Sequence, residues 1–210
     1  MAAEISSVVF DLGGVLIDWN PRYLYRELFK DDTAEMENFL THVCSQEWNI
    51  RQDAGLSFAK AAEVLKAEHP GKEEPIDAWL PGFNKMLAGP IPGTVDILAQ
   101  LRAEGILLYA LTNWSSETFP LAQERFEFLN WFNGIVVSGF EKVAKPDPAL
   151  FEIMIKRHGL DPLKTLYIDD NASNIETAHR LKFETILFTT PQALAAELSR
   201  MKLLSYKRCA

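Results

Sequence analysis

Cysteine is scarce in this 210-residue chain, with Cys44 and Cys209 the only two. They lack the spacing of a metal-ligand motif and are too few for a disulfide framework, so a reducing, cytoplasmic setting is expected. Positive charge is also short: 21 Lys and Arg face 29 Asp and Glu, for a net charge of −8. No basic excess is left to meet a phosphate backbone, which argues against a nucleic-acid partner while leaving room for a local basic pocket. No apolar run approaches the roughly 20 residues of a membrane span. The opening "MAAEISSVVF" lacks the basic start and apolar core of a secretion signal, so no membrane partner is expected either. The four histidines, His42, His69, His158 and His179, share no spacing that would make a zinc site or a histidine nucleophile. Internal repeats and low-complexity tracts are absent.

What remains is ordinary globular material, 48% hydrophobic and 24% charged. Five short β-rich runs stand out: "ISSVVFD", "ILLYALT", "GIVVS", "TLYID" and "TILFTT". Their density of branched and aromatic residues suits strands buried on both faces. Between the later runs lie helical patterns, "TVDILAQLRAEG", "PALFEIMIKRHG", "NIETAHRLKF" and "PQALAAELSRM". Strands alternating with helices predict right-handed crossovers and a parallel sheet, hence an α/β fold. Residues 20–89 read differently. "PRYLYRELF", "AEMENFLTHV", "SFAKAAEVLKAEH" and "IDAWLPGFNKML" are all helical in pattern, with Ser57 placed to cap the third. A helical insert at 20–89 is expected, with "AGPIPG" as the return hinge and a core made of 1–19 and 90–210.

Ligands of open parallel sheets bind beyond the carboxyl ends of the strands. The residues there are Asp11, Thr112 with Asn113, and Asp169 with Asp170, and Lys145 lies just beyond "IVVSG". One acid at a strand end is what any turn favours. Three acids, a hydroxyl, an amide and a lysine at one rim make a site, and the carboxylates would repel one another without a cation. Mg²⁺ takes oxygen ligands of this kind.

In these motifs and their order the chain resembles the haloacid dehalogenase superfamily of hydrolases. "FDLGGVL" resembles the first motif, with Asp11 as nucleophile, and "LTN" the second, with Thr112 orienting the phosphate. "KPDPALF" is similar to the third, with Lys145 pairing nucleophile and substrate, and "IDDNASN" to the fourth, with Asp169 and Asp170 holding Mg²⁺. The resemblance runs from about Ile5 to Thr190. It implies a three-layer Rossmann-like core with a five-stranded, mostly parallel sheet, a flap after the first strand and a helical cap. It also implies a Mg²⁺-dependent phosphohydrolase acting on a small phosphate monoester through an aspartyl-phosphate on Asp11. In that family the residue two after the nucleophile is usually an acid that protonates the leaving group while its carbonyl binds the metal. Here it is Gly13, which keeps only the second role and, with Gly14, serves a turn.

Losing a general acid–base costs on the order of 10²–10⁴ in rate. Either the substrate has a good leaving group, such as an acyl, aryl or anomeric sugar phosphate, or another acid takes over. Asp18, Glu47 and Asp53 are candidates, although the plainer reading of each is a solvated surface or turn acid. The alternative chemistry is 2-haloacid dehalogenation through an ester on Asp11, which needs no acid and no metal. Asp169 and Asp170 fit it poorly, and Phe151 stands where those enzymes place a tyrosine. A third reading is a non-catalytic binding protein on the same fold. Around the pocket, Trp114 follows Asn113 in the second-motif loop, and Trp48 and Arg51 of "SQEWNIRQDAGLS" are candidate substrate contacts from the cap. The plainer reading of Trp48 is a core residue of the insert, and Arg51 reads equally as a surface residue. Asn174 is a candidate to hydrogen-bond a metal ligand.

Overall fold

The computed structural model describes residues 4–204; Cys209 and the end of the basic tail lie outside them. Seven strands form two sheets. The larger sheet uses the five β-rich runs: β1 (Ser7–Phe10), β4 (Leu107–Thr112), β5 (Gly134–Val137), β6 (Thr165–Asp169) and β7 (Glu184–Leu187). Their order is β5-β4-β1-β6-β7 and every pairing is parallel. The smaller sheet pairs β2 (Ile17–Trp19) with β3 (Leu87–Pro90), antiparallel, with an irregularity between Asp18 and Trp19.

Strand side chains alternate between faces, and the packing follows that alternation. Val8, Phe10, Leu108, Ala110, Leu166 and Ile168 join one apolar cluster with Leu98 and Leu101 of the Pro92–Ala103 helix and with Leu194 and Leu198 of the Pro191–Arg200 helix. Val9, Tyr109, Leu111, Val136 and Tyr167 join the other, with Leu150, Phe151 and Met154 of the Pro148–His158 helix. Helices therefore cover both faces, and the fold is a three-layer α/β core. Phe151, in the third motif, packs fully buried against Tyr167 at 5.3 Å between ring centroids.

Between β2 and β3 the chain is helical, as its patterns predict. Ser57 caps the Phe58–Glu68 helix by accepting from the Lys60 amide at 3.4 Å. An aromatic group of Tyr25, Phe39, Trp48, Phe58 and Trp79 forms the interior of this segment, with neighbouring rings 5.1–6.2 Å apart. One expectation changes. The "IDAWLPGFNKML" pattern is not one helix: Pro81 and Gly82 interrupt it, leaving helices Glu73–Asp77 and Phe83–Met86 with turns between. "SQEWNIRQD" is a helix, Gln46–Asp53, capped by Ser45. The hinge "AGPIPG" contributes its first three residues to β3 and places Pro92 at the start of the next helix. No helix among the described residues is long and apolar enough to cross a membrane.

Candidate active site

Three parallel strands end at one place. Asp11 follows β1, and its amide donates to the Ile168 carbonyl of β6 at 2.8 Å, holding it in register with Asp169 at the end of that strand. Thr112 closes β4 and is buried. Lys145 reaches the same point from beyond β5. Its Nζ lies 2.9 Å from Asp11 Oδ1 and 2.8 Å from Asp169 Oδ2, and donates to the Leu111 carbonyl at 2.9 Å. The ammonium is essentially sealed, at 2% exposure for the residue.

Asn113 fixes that lysine from the backbone side. Its Oδ1 accepts from the Lys145 amide at 2.8 Å and its Nδ2 donates to the Lys145 carbonyl at 2.9 Å. Asp169 is fully buried and saturated with donors: Asn174 Nδ2 at 3.0 Å from both oxygens, the Asn171 amide at 2.8 Å, and the Tyr167 hydroxyl. Asn174 belongs to the Ala172–Arg180 helix, whose N-cap Asn171 accepts from the Ser173 amide. Sequence reasoning reached Asn174 but passed over Tyr167, whose position two residues before the acid puts it on the same strand face.

The electrostatics show what the cluster lacks. Burial raises the Asp11 carboxyl well above its usual range, Asp169 and Asp170 add to that, and Lys145 opposes it. Burial would also raise Asp169, but Lys145 together with the Tyr167 and Asn171 donors holds it below the usual range. Burial would lower Lys145, and Asp11 and Asp169 hold it up instead. Asp170 is raised by burial and by Asp169. Oxygens of Asp11, Asp169 and Asp170 lie within 4.8 Å of one another. Three carboxylates against one ammonium leave an excess of two negative charges, and an all-oxygen donor set of this span suits a hard divalent cation.

The turn after β1 accounts for the glycines. The amides of Leu16 and Ile17 both return to the Leu12 carbonyl at 2.8 Å, winding the chain tightly before β2. Gly14 has φ +76, where a side chain would be strained, and a Cβ there would also have to displace the Asp170 carboxylate. Gly13 is different: its φ is not positive, and nothing lies within 4 Å of where its Cβ would stand. The turn does not need a glycine at 13.

Above this floor lies a small, half-open pocket lined by Gly13, Trp19, Asn49, Asp53, Phe83, Asn113 and Trp114. Trp114 belongs to the lining but is almost wholly buried. Its indole is buried against Phe83 and Phe119, with Nε1 donating to Thr118. Trp48 is not brought to this pocket; it is a core residue of the helical segment, 5.1 Å from Trp79 and 6.2 Å from Phe58 between ring centroids. Arg51 is exposed and pairs with Glu47 at 3.4 Å, also away from the lining. Trp19, Asn49 and Phe83 line the pocket and escaped sequence reasoning. Asn49 carries a usable signal, standing four residues before Asp53 on one face of a helix that Ser45 announces.

The haloacid dehalogenase-like hydrolase family matches residues 5–182. The chain belongs to that family. Its members include relatives similar over nearly the full length. The sesquiterpene phosphatase astK of Aspergillus oryzae is 24% identical over 96% of this chain and 98% of its own. The D-ribitol-5-phosphate phosphatase of Bacteroides thetaiotaomicron is 26% identical over 86% of this chain and 90% of its own. Among solved structures, the HAD family enzyme bt-2542 of B. thetaiotaomicron, in complex with magnesium and inorganic phosphate, shares the fold. Its TM-score is 0.68 at 24% identity, covering 89% of this chain and 95% of that one. The chain is thus a haloacid dehalogenase-like hydrolase with an α/β core.

Proposed function

We propose that this hydrolase is a Mg²⁺-dependent phosphatase of small phosphate monoesters, working through an aspartyl-phosphate on Asp11. The observation that carries the reading is the set of three carboxylates, Asp11, Asp169 and Asp170, gathered within 4.8 Å beside one sealed lysine. Asp11, Asp169, Asp170 and the Gly13 carbonyl would hold the ion, which when bound offsets the charge of the carboxylates and of the substrate phosphate. Phosphatases among the similar proteins, and the magnesium and phosphate carried by bt-2542, support the same chemistry.

In this mechanism Asp11 Oδ attacks phosphorus and the bond to the ester oxygen breaks. Thr112 and Lys145 orient and balance the phosphoryl oxygens, and Asn113 holds Lys145 in place. Water then attacks phosphorus, the bond to Asp11 breaks, and phosphate leaves with Asp11 restored. Residues 20–89 act as the cap, contributing Asn49, Asp53 and Phe83 to the pocket and limiting the substrate to a small organic group. Asp170 beside Asp11 disfavours metal-free dehalogenation, since without a cation to offset it a 2-halo acid would bring a further carboxylate to an already acidic site.

The test is phosphate release from acyl, aryl, anomeric sugar and alkyl phosphates, with and without Mg²⁺, with Asp11→Asn as the blank. Mg²⁺-dependent release lost in the blank is the expected result. Halide release from 2-halo acids, independent of Mg²⁺ and without phosphate release, would overturn it.

A further inference from the structure

A phosphate ester with a poor leaving group needs a proton on its leaving oxygen, and Gly13 cannot deliver one. The structure leaves a clear space in its place. Nothing approaches within 4 Å of the absent Cβ, and the pocket that occupies this space has a single ionisable side chain in its lining, Asp53. The other two candidate acids are engaged elsewhere. Both oxygens of Asp18 accept from the Tyr23 hydroxyl, at 3.1 and 3.0 Å. Glu47 is exposed and pairs with Arg51.

We propose that Asp53, delivered from the helical segment, is the acid–base group that Gly13 does not provide. The inference rests on the phosphatase reading above. In the first step Asp53 gives its proton to the ester oxygen as that oxygen leaves phosphorus with the bonding pair. In the second, the Asp53 carboxylate takes a proton from the attacking water, and phosphate and free Asp11 are released with Asp53 protonated again. No other reactant is required.

Asp53 is built for this task by position and surroundings. It is the last residue of the Gln46–Asp53 helix, and Gly55 just beyond, at φ +96, lets the chain pass close to Gly139 and Lys142. The carboxyl is oriented by Asn49 Nδ2, which donates to Oδ2 at 3.0 Å, and by the Ser115 amide of the second-motif loop. Burial raises it to about 7, against the pull of the Ser115 amide and the Lys145 charge. A group near neutrality serves both as donor and as acceptor at physiological pH.

The experiment follows single and multiple turnovers of Asp53→Asn on p-nitrophenyl phosphate and on an alkyl phosphate such as glycerol phosphate. With the aryl ester we expect a burst of nitrophenolate and accumulated phosphoenzyme, then turnover slowed on the order of 10²–10⁴-fold. With the alkyl ester we expect no burst and a comparable loss. Adding Gly13→Asp to Asp53→Asn restores alkyl turnover, because the space for that carboxyl is open. An Asp53→Asn enzyme within a few-fold of wild type on both esters would overturn the assignment and leave the phosphatase reading standing. A wild-type enzyme that releases no phosphate from either ester overturns both.

Discussion

Lys145 is sealed between two carboxylates and a carbonyl, so its charge cannot be left out without consequence. Lys145→Met strands Asp11 and Asp169 in a buried site, and breaking such a pair costs about 3–5 kcal/mol. We expect urea unfolding without Mg²⁺ to show that loss, and added Mg²⁺ to recover part of it by replacing the missing positive charge. Asp53 gives the opposite sign. Its folded carboxyl titrates near 7 and its unfolded one near ~3.9. As pH rises through this window the unfolded chain releases the proton while the folded chain keeps it, so stability falls; above 7 the penalty is constant. Asp53→Asn should therefore gain on wild type between pH 4 and pH 7 and run parallel to it beyond, when unfolding free energies are compared across pH. A variant that gains stability while losing turnover would mark a residue kept for function. Asp11, Asp169 and Asp170 were legible in the sequence because each ends a loud apolar strand. Asp53 was one name among three, because only the packed structure separates it from Asp18 and Glu47. Trp48 and Arg51 were drawn in by their chemistry, and the helix turns one into the aromatic interior and the other to solvent.

The five strands of the main sheet announce themselves because a parallel strand buried on both faces must be apolar at nearly every position. The flap does not. β2 has three residues, and β3 reads "LAGP", with a glycine and a proline that ordinarily argue against a strand. The Gln46–Asp53 helix is equally quiet, since only Trp48 and Gln52 on it are fully buried and Asp53 is partly so. Yet this helix brings Asp53 to the pocket, and what docks it is backbone contact. It packs on the Ser138–Glu141 helix, where Gly139 lies against the Trp114 carbonyl and the Ser115–Ser116 backbone. A methyl at 139 meets backbone that cannot rotate away. Gly139→Ala should push the Ser138–Glu141 helix off the second-motif loop and carry the helix docked on it along, at about 1–3 kcal/mol in urea unfolding. The same shift should lower kcat/KM through the displaced Asn113, Trp114 and Asp53, so an alanine variant with unchanged kinetics would show that this contact does not set the pocket.

The molecule as a whole folds around a charge imbalance at the carboxyl edge of its sheet, and that imbalance ties stability to the cation. An ion that binds the folded chain and not the unfolded one adds RT ln(1 + [L]/Kd), about 2.7 kcal/mol at a hundredfold excess over Kd. For a chain of this length each kcal/mol moves Tm by roughly 2–4 °C, so Mg²⁺ should raise the midpoint by roughly 5–10 °C in a thermal scan. Asp170→Asn separates this effect from general salt stabilisation. Asp170 is the outermost of the three acids, raised by burial and by Asp169, so without metal its charge is a cost to the fold. Removing that charge should leave the metal-free variant at least as stable as wild type, and should abolish most of its gain from Mg²⁺. The two melting curves then exchange order as Mg²⁺ is added. A variant that keeps the full magnesium shift would mean the ion binds elsewhere. One that is destabilised without the ion would mean that Asp170 holds the turn at Gly14 by packing rather than by ligation.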